Sequence, residues 1–584
     1  MQNVNDMNCK GVALLLLMFV GKICFGQLTK FEQSNGMETA TYAETIAFYK
    51  KIATSSKKVL VEEKGMTDAG LPLHLVSVSA DNKFSPTDWH KQGKVVIMIN
   101  NGIHPGEPDG IDASMMLVRD IAIGKIILPP NVVLSIIPIY NIGGALNRNS
   151  STRVNQNGPI EYGFRGNAQN LDLNRDFTKN DSKNAKSFAE IFHYLKPDVF
   201  IDNHVSDGAD YQHTMTLITT QFDKLGGVAG TFLRDVFEPR IYASMKAKNW
   251  DLIPYVEFDG TDFSKGIVQF NETPRYSSGY ATLFNTFSFI PETHMLKPYK
   301  ERVQSTYDLM VSFIKESSLL AKEIKITRAK ANQETILKNN FFLKWQPDFS
   351  KNTNVSFSGY EQDSTESAAT GLKKMFYNRN LPYSRTLKYF SFFKGVNEVT
   401  KPAAYIIPAG WYSVMERLEL NGVKIQRLKK DTTIGVTVQR IEDYKTRLAY
   451  EKHYPHYNIT TSRYVDTLSF LKGDYLIKTG QVTDRYVVEM LEPIGDDSFF
   501  AWNFFDAILQ QKEGYSDYRW EDIAAEILRE DVSLKTELEK KKIAEPNFAK
   551  DSRAILSFIY KNSKWHEAAH LRYPVYRIEK AQSN

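Results

Sequence analysis

Residues 94–110 read KVVIMINNGIHPGEPDG. Val95 to Ile99 form an unbroken apolar run, the pattern of a strand covered on both faces. A glycine-bearing loop leads from it into IDASMMLVRDIA (111–122), whose apolar spacing is helical. The alternation repeats downstream. NVVLSIIPIYN (131–141) reads as a strand, SFAEIFHYL (187–195) as a helix and DVFIDNH (198–204) as a strand. Strand SFIPETH (288–294) follows, and a helix through RVQSTYDLMVSFIKES (302–317) closes the unit near residue 325. Upstream, TATYAETIAFYKKIA (39–53) has helical spacing, and residues 57–79 read as two strands joined at a glycine-bearing turn. The expectation is an α/β fold: a mixed, mostly parallel sheet with helices on both faces.

The second half is less regular. ITRAKANQETIL (326–337) reads as a helical connector. KPAAYIIPAGWYSVMERLELNGVKIQRL (401–428) reads strand, helix, strand, with Gly422 where a helix stops. TIGVTVQRI (433–441) and DRYVVEML (484–491) are strand candidates, and WNFFDAILQQ (502–511) and WEDIAAEIL (520–528) onward read as helical. The expected organisation is a signal segment at 1–26, the main domain at 27–325 and a connector at 326–345. A smaller mixed α/β or β-rich region follows at 346–490, with a helical C-terminal region at 491–584. No internal repeat or low-complexity tract interrupts this order.

Composition narrows the function. The chain has 584 residues with net charge +5 from 73 basic and 68 acidic side chains. So even a balance, without a long Lys/Arg block, does not fit a nucleic-acid binder. Lys10, the apolar run VALLLLMFVG (12–21) and small residues before Gln27 are expected to act as a secretory signal, giving a secreted or periplasmic protein. The apolar run is short for a membrane span, and none follows after signal removal. Both cysteines, Cys9 and Cys24, fall inside that segment. The remainder then has no thiolate, and a metal must be held by imidazole and carboxylate.

Two stretches invite metal chemistry. His566-Glu567-Ala568-Ala569-His570 matches H-E-x-x-H, which puts two imidazoles one helical turn apart with a glutamate poised on a bound water. Such a site needs a third ligand downstream, yet only fourteen residues follow His570 and none is histidine. The reading preferred here is an ordinary terminal helix carrying histidines on one face. The other stretch is the opening one. His104 and Glu107 lie just after a strand, where open α/β sheets bind ligands, and His204 ends another strand. Two imidazoles and one carboxylate leave a coordination place free, as catalytic zinc sites do.

In its motif order, from about Thr29 to about residue 325, the chain resembles zinc carboxypeptidases of the carboxypeptidase A type. The order is His104-Pro105-Gly106-Glu107, Arg165, Asp172-Leu173-Asn174-Arg175, His204, Tyr276 and Glu292. The resemblance implies a carboxypeptidase-like fold and one Zn²⁺ held by His104, Glu107 and His204. It implies Glu292 as general base, Arg165 as stabiliser of the oxyanion, and Asn174 and Arg175 as binders of the substrate's α-carboxylate. Tyr276 would cap the bound chain end, with Tyr280 as its rival, and Arg165 competes with Arg148 and Arg153. His213 and His294 lie near the motifs without metal spacing and are expected to be structural. After His204 the chain reads Val205-Ser206-Asp207 rather than the Ser-Tyr pair of digestive members, so the preferred terminal residue is left open.

The implied activity is an exported metallocarboxypeptidase acting on peptides with a free C-terminal carboxylate. The alternatives on the same fold are a cell-wall peptide hydrolase and an acylase-like amidohydrolase. The alternative of another class is an inactive peptide-binding module, which the presence of Glu292 and all three ligands disfavours. Oligomeric state is left open.

Overall fold

The computed structural model describes residues 27–256 and 263–580; the expected signal segment, with Cys9 and Cys24, lies outside the described residues. Helix α1 (Tyr42–Ser55) starts at a capping box: the Thr41 hydroxyl accepts from the Glu44 amide while the Glu44 carboxylate accepts from that of Thr41. Strands β1 (Val59–Met66) and β2 (Pro72–Ser79) are the two strands expected around a glycine-bearing turn; they pair antiparallel, with β1 at the edge of the sheet. The strand at the centre of the argument is β3 (Val95–Asn100), with every residue buried.

Its alternation decides the layers. Val95, Ile97 and Ile99 join the core formed with helices α2 (Asp109–Ala122) and α5 (Tyr299–Leu319). Val96 and Met98 join a second core, with Phe188, Ile191 and Phe192 of helix α3 (Lys183–Leu195). Successive side chains point to opposite faces of a strand, so helices cover the sheet on both sides.

The remaining strands are β4 (Val132–Ile137), β5 (Val199–Asp202), β6 (His204–Ser206), β7 (Met215–Thr219), β8 (Ile253–Pro254) and β10 (Phe287–His294). The sheet order is β1-β2-β4-β3-β5-β10-β7-β8, with β6 also on β10. Pairings β4–β3, β3–β5, β5–β10, β6–β10 and β7–β8 are parallel; β1–β2, β2–β4 and β10–β7 are antiparallel. The sheet is mixed and mostly parallel, as the sequence predicts. Short β9 (Ile267–Val268) lies apart and pairs with the second half of the chain.

Helix α6 (Ala321–Leu337) follows α5 at once and seats Ile324 and Ala331 in the first core. Lys325 and Arg328 reach the buried Asp198 carboxylate at 3.0 and 2.5 Å. Beyond it come β11 (Asn340–Pro347), the hairpin β12 (Thr353–Glu366) and β13 (Lys373–Phe390), and β14 (Phe393–Thr400), which pairs with β11. A second mixed-length sheet contains β15 (Ala404–Ile407), β16 (Gln426–Arg427), β17 (Thr432–Thr446), β18 (His456–Phe470), β19 (Tyr475–Lys478) and β20 (Arg572–Ile578). Helix α7 (Tyr412–Leu420) lies between β15 and β16 and ends before Gly422, whose φ of 77° suits a residue without a Cβ.

Four local expectations are corrected. DRYVVEML is helix α8 (Asp484–Leu491), not a strand: Tyr486, Val487, Met490 and Leu491 bury at helical spacing in the second-sheet core, which overrides the strand preference of Tyr486 and Val487. Residues 502–511 are turns ending in a short 3-10 segment, Asp506–Leu509, rather than a helix. Helices do follow at α9 (Asp517–Glu530), α10 (Val532–Ala544) and α11 (Ser552–Lys561). The tail is not helical throughout, because β20 inserts between β15 and β17. Finally, residues 562–571 are turns and bends, so the H-E-x-x-H histidines do not ride a helix.

Candidate active site

Three parallel strands deliver the candidate residues to one edge of the first sheet. His104 and Glu107 occupy the turn after β3, His204 opens β6 just beyond β5, and Glu292 lies near the end of β10, in register with His204. They line a cavity of about 780 Å³ together with Arg153, Arg165, Asn174, Arg175, Glu272 and Tyr276.

The metal set is compact. Ligand atoms of His104, Glu107 and His204 all lie within 4.8 Å of one another, and all three residues are buried. The Nδ1 atoms of both imidazoles face the Glu107 carboxylate, at 3.3 Å from His104 and 3.2 Å from His204. Each Nε2 is taken by a different carboxylate: Asp172 at 2.9 Å for His104, and Asp202 at 3.1 Å for His204. That fixes the rings and leaves the Nδ1 side for coordination. Buried His104 Nδ1 has no hydrogen-bond partner among the described residues, an unmet polar atom that a cation satisfies. The set fits a divalent ion that accepts nitrogen and oxygen donors.

Charge in the cavity is arranged in opposition. Burial works against ionising Glu107, but Arg153 and His104 outweigh it and hold the carboxyl well below its usual range. Burial also works against charge on His204, yet Asp202 and Glu107 hold its imidazolium well above the usual histidine range. Glu292 is pushed up to about 8 by burial, opposed by His204 and reinforced by Glu107, Glu272 and Asp207. A carboxyl whose pKa lies near neutrality has both forms within reach, so its carboxylate can take up a proton and its acid form can pass it on.

The arginines separate on geometry. Arg165 donates through Nε to Asp172 Oδ2 at 2.9 Å and brings Nη1 within 3.8 Å of Glu107, with its side chain half exposed to the cavity. Arg153 lies nearer the metal set, donating from Nη1 to Glu107 Oε1 at 2.8 Å. Arg148 turns away to main-chain oxygen of Glu161. Arg175 donates to the Tyr450 hydroxyl and to the main-chain oxygen of Asn174, and its guanidinium lies 4.6 Å over the ring of Tyr276. Buried Asn174 Oδ1 has no partner among the described residues.

The tyrosine pair resolves the same way. Tyr276 lies at the start of helix α4 (Ser277–Thr282) and lines the cavity, whereas Tyr280 is fully buried and donates its hydroxyl to Asn421 at 2.6 Å. His213 and His294 are spent on main-chain hydrogen bonds, with Ser358 and Asp251 and with Tyr211 and Leu296. At the C-terminus His566 and His570 meet each other at 3.1 Å and His566 packs edge-on to Tyr560, while Glu567 accepts from the amides of Lys512 and Glu513.

The sequence reading assigns no role to three carboxyl groups of the site: Glu272, which lines the cavity and is pushed up to about 7 by burial, and Asp172 and Asp202 behind the imidazoles. Asp172 has a sequence signal, since it belongs to the quoted Asp-Leu-Asn-Arg run. Asp202 lies two residues before a strand-end histidine, and Glu272 has only its nearness to Tyr276.

Residues 45–202 match the family model described as zinc carboxypeptidase, a span that includes His104, Glu107, Arg165, Asn174 and Arg175 and stops just short of His204. The chain is 21% identical to carboxypeptidase 2 of Trichophyton rubrum over 502 residues, 80% of this chain and 85% of that one. It is 30% identical to carboxypeptidase 2 of Trichophyton tonsurans over 109 residues, 18% of this chain and 19% of that one. Among solved structures, a metallo-carboxypeptidase from Burkholderia cenocepacia is 15% identical with TM-score 0.36, covering 48% of this chain and 70% of that one. The carboxypeptidase A of Helicoverpa armigera is 14% identical with TM-score 0.36, covering 48% and 74%.

Proposed function

We propose, from the premise that this chain belongs to the zinc carboxypeptidase family, that it removes the C-terminal residue of peptides bearing a free α-carboxylate. The observation that carries the reading is a single cavity in which the His104–Glu107–His204 set, the raised carboxyl of Glu292 and the guanidinium of Arg175 meet. Zinc held by that set supplies Lewis acidity toward water and toward the scissile carbonyl.

The chain's own groups do the rest. Arg175 and Asn174 anchor the terminal carboxylate; a planar guanidinium matches its two oxygens. Tyr276, held under Arg175 by the cation–π contact, closes over the bound end. Glu292 takes the proton of the attacking water and returns it to the departing amine, so it cycles between its two protonation states. Arg165 meets the charge that grows on the carbonyl oxygen, and Arg153, paired with Glu107, adds to the positive field there. Asp172 and Asp202 keep the imidazoles turned toward the metal.

Export rests on the N-terminal apolar stretch 12–21 and its flanks. No helix among the described residues is long and apolar enough to cross a membrane.

The test compares one peptide with its C-terminally amidated twin, each with and without a zinc chelator. Cleavage of the free acid, lost on chelation and absent on the amide, is the expected result. Equal rates on acid and amide would remove the exopeptidase reading.

A further inference from the structure

The long hairpin β17–β18 of the second sheet does not end in solvent. Its ladder closes at Thr446–His456, and the chain then narrows to the turn Tyr450-Glu451-Lys452-His453, where Tyr450 and His453 exchange main-chain hydrogen bonds at 2.8 and 3.0 Å. Glu451 and Lys452 sit at φ of 50° and 67°. Two successive left-handed residues are the demand of a tight two-residue hairpin, met at least cost by Asn-Gly. Here a glutamate and a lysine occupy both positions, so the turn keeps a costly backbone for the sake of its side chains.

Those side chains all reach the segment that carries the Asp-Leu-Asn-Arg run. The Tyr450 hydroxyl accepts from Arg175 Nε at 2.8 Å, and Glu451 Oε2 accepts from the Asp172 amide at 2.9 Å. Lys452 donates to Gln169 Oε1 at 2.9 Å, and His453 Nε2 meets Asp181 Oδ2 at 2.8 Å. The tip is itself held in place. Tyr450 stacks on Trp502 with an interplanar angle of 19°, and buried Trp502 also receives the guanidinium of Arg275 at 4.7 Å. With Nε bound to Tyr450 and Nη1 to Asn174, Arg175 has a fixed plane, and Nη2 has no partner among the described residues.

We propose that the β17–β18 turn is a working part of the active site: Tyr450 is a positioning residue that orients Arg175 to receive the substrate's terminal carboxylate. The inference rests on the carboxypeptidase reading and deepens it, because it makes a residue from the second half of the chain a determinant of exopeptidase binding. Tyr450 does not line the cavity and acts through Arg175.

The experiment uses the full chain loaded with zinc and the variant Tyr450→Phe, which deletes the hydroxyl and keeps the ring on Trp502. A hydrogen bond to a charged donor is worth roughly tenfold or more in an equilibrium. Removal of binding that is equal in ground and transition states raises KM and spares kcat. For the free-acid peptide, KM is expected to rise about tenfold with kcat within about twofold. Tyr450→Ala, which also vacates the Trp502 face, should raise it further. An unchanged KM in Tyr450→Phe, or a fall in kcat alone, overturns the proposal while leaving the carboxypeptidase reading intact. A wild-type enzyme that cleaves the amide as fast as the acid overturns both.

Discussion

Asp172→Asn is the substitution whose effect follows most directly from the geometry. The carboxylate holds His104 Nε2 and the Asn174 amide through Oδ1, both at 2.9 Å, and Arg165 Nε and Nη2 through Oδ2, both at 2.9 Å. Burial alone raises the pKa of this group, but His104, Arg165 and Arg175 together hold it far below the carboxylate range, so the anion is the working form. Asparagine keeps one acceptor and turns the other into a donor. With the remaining oxygen toward His104, the new NH₂ faces the Arg165 guanidinium and two charge-assisted bonds are lost. Loss of a carboxylate behind a metal-bound imidazole costs about 10–100-fold in metal affinity, or about 1.4–2.8 kcal/mol. Asparagine, still able to accept from His104, belongs at the lower end, and Asp172→Ala at the upper. Arg165 is loosened rather than removed, so kcat at saturating zinc should fall by less than the roughly 10²–10³ expected for deleting an oxyanion donor. Zinc affinity is read by competition with a chromogenic chelator, and kcat with the metal in excess. An Asp172→Ala protein that binds zinc as tightly as wild type would refute the reasoning, whatever its activity.

Other expectations follow from the same structure. Glu292→Gln should keep the zinc stoichiometry while lowering kcat roughly 10²–10⁴-fold, the range for loss of a proton-transfer group; metal lost along with activity would contradict its role. Asp198→Ala leaves Lys325 and Arg328 facing an empty buried site and should cost about 3–5 kcal/mol in denaturant unfolding. Burial raises the Asp198 pKa, but Arg328 and Lys325 outweigh it and depress the folded value. Its stabilisation is therefore full above the unfolded carboxylate pKa of about 3.9 and is lost as pH falls through the lower folded one. The variant should show a shallower acid limb below about pH 4, and an acid limb as steep as wild type would sink that assignment. His566→Ala should change neither zinc content, by metal analysis, nor turnover, because among the described residues its ring meets His570 and Tyr560, neither of them in the metal set.

What could be read in the sequence shares one physical property: it is local. The unbroken run Val95–Ile99 can only be a strand with two covered faces, and the loop leaving it must carry the residues next in line, His104 and Glu107. Asn174 and Arg175 enter only through the motif order of the family that the chain resembles. What stays open or is missed depends on partners far along the chain. Tyr276 and Tyr280 are four residues apart and look alike, and Asn421 and His193 decide between them by taking the Tyr280 hydroxyl into the core. Arg153 has no local mark, and its place is set by Glu107. In the tail, α11 ends at Lys561 although the following residues could continue it; Glu567 is held by the amides of Lys512 and Glu513, which fixes a turn where helical spacing suggested another coil.

The relation between the two halves was hidden for the same reason, and it changes how the catalytic unit is understood. Arg485 lies in the first turn of α8, and an arginine normally faces water. Instead it is buried, and its guanidinium donates to the main-chain oxygens of Lys224, Leu225 and Thr282 from the first half. Burial depresses its pKa even so, a cost tolerated only where those carbonyls replace water. Arg275, two residues after Thr273 and close to Tyr276, is likewise tied to Asp497, and Tyr280 to Asn421. Each of these bonds crosses from the first half of the chain to the second, and Arg275 adjoins Tyr276 of the cavity lining. A cut anywhere near residue 340 would therefore separate Arg175 from Tyr450 and strip Arg275 and Tyr280 of their partners. On the proposed reading, the second half belongs to the catalytic unit, because Tyr450 and Asp497 hold Arg175 and Arg275 beside Tyr276.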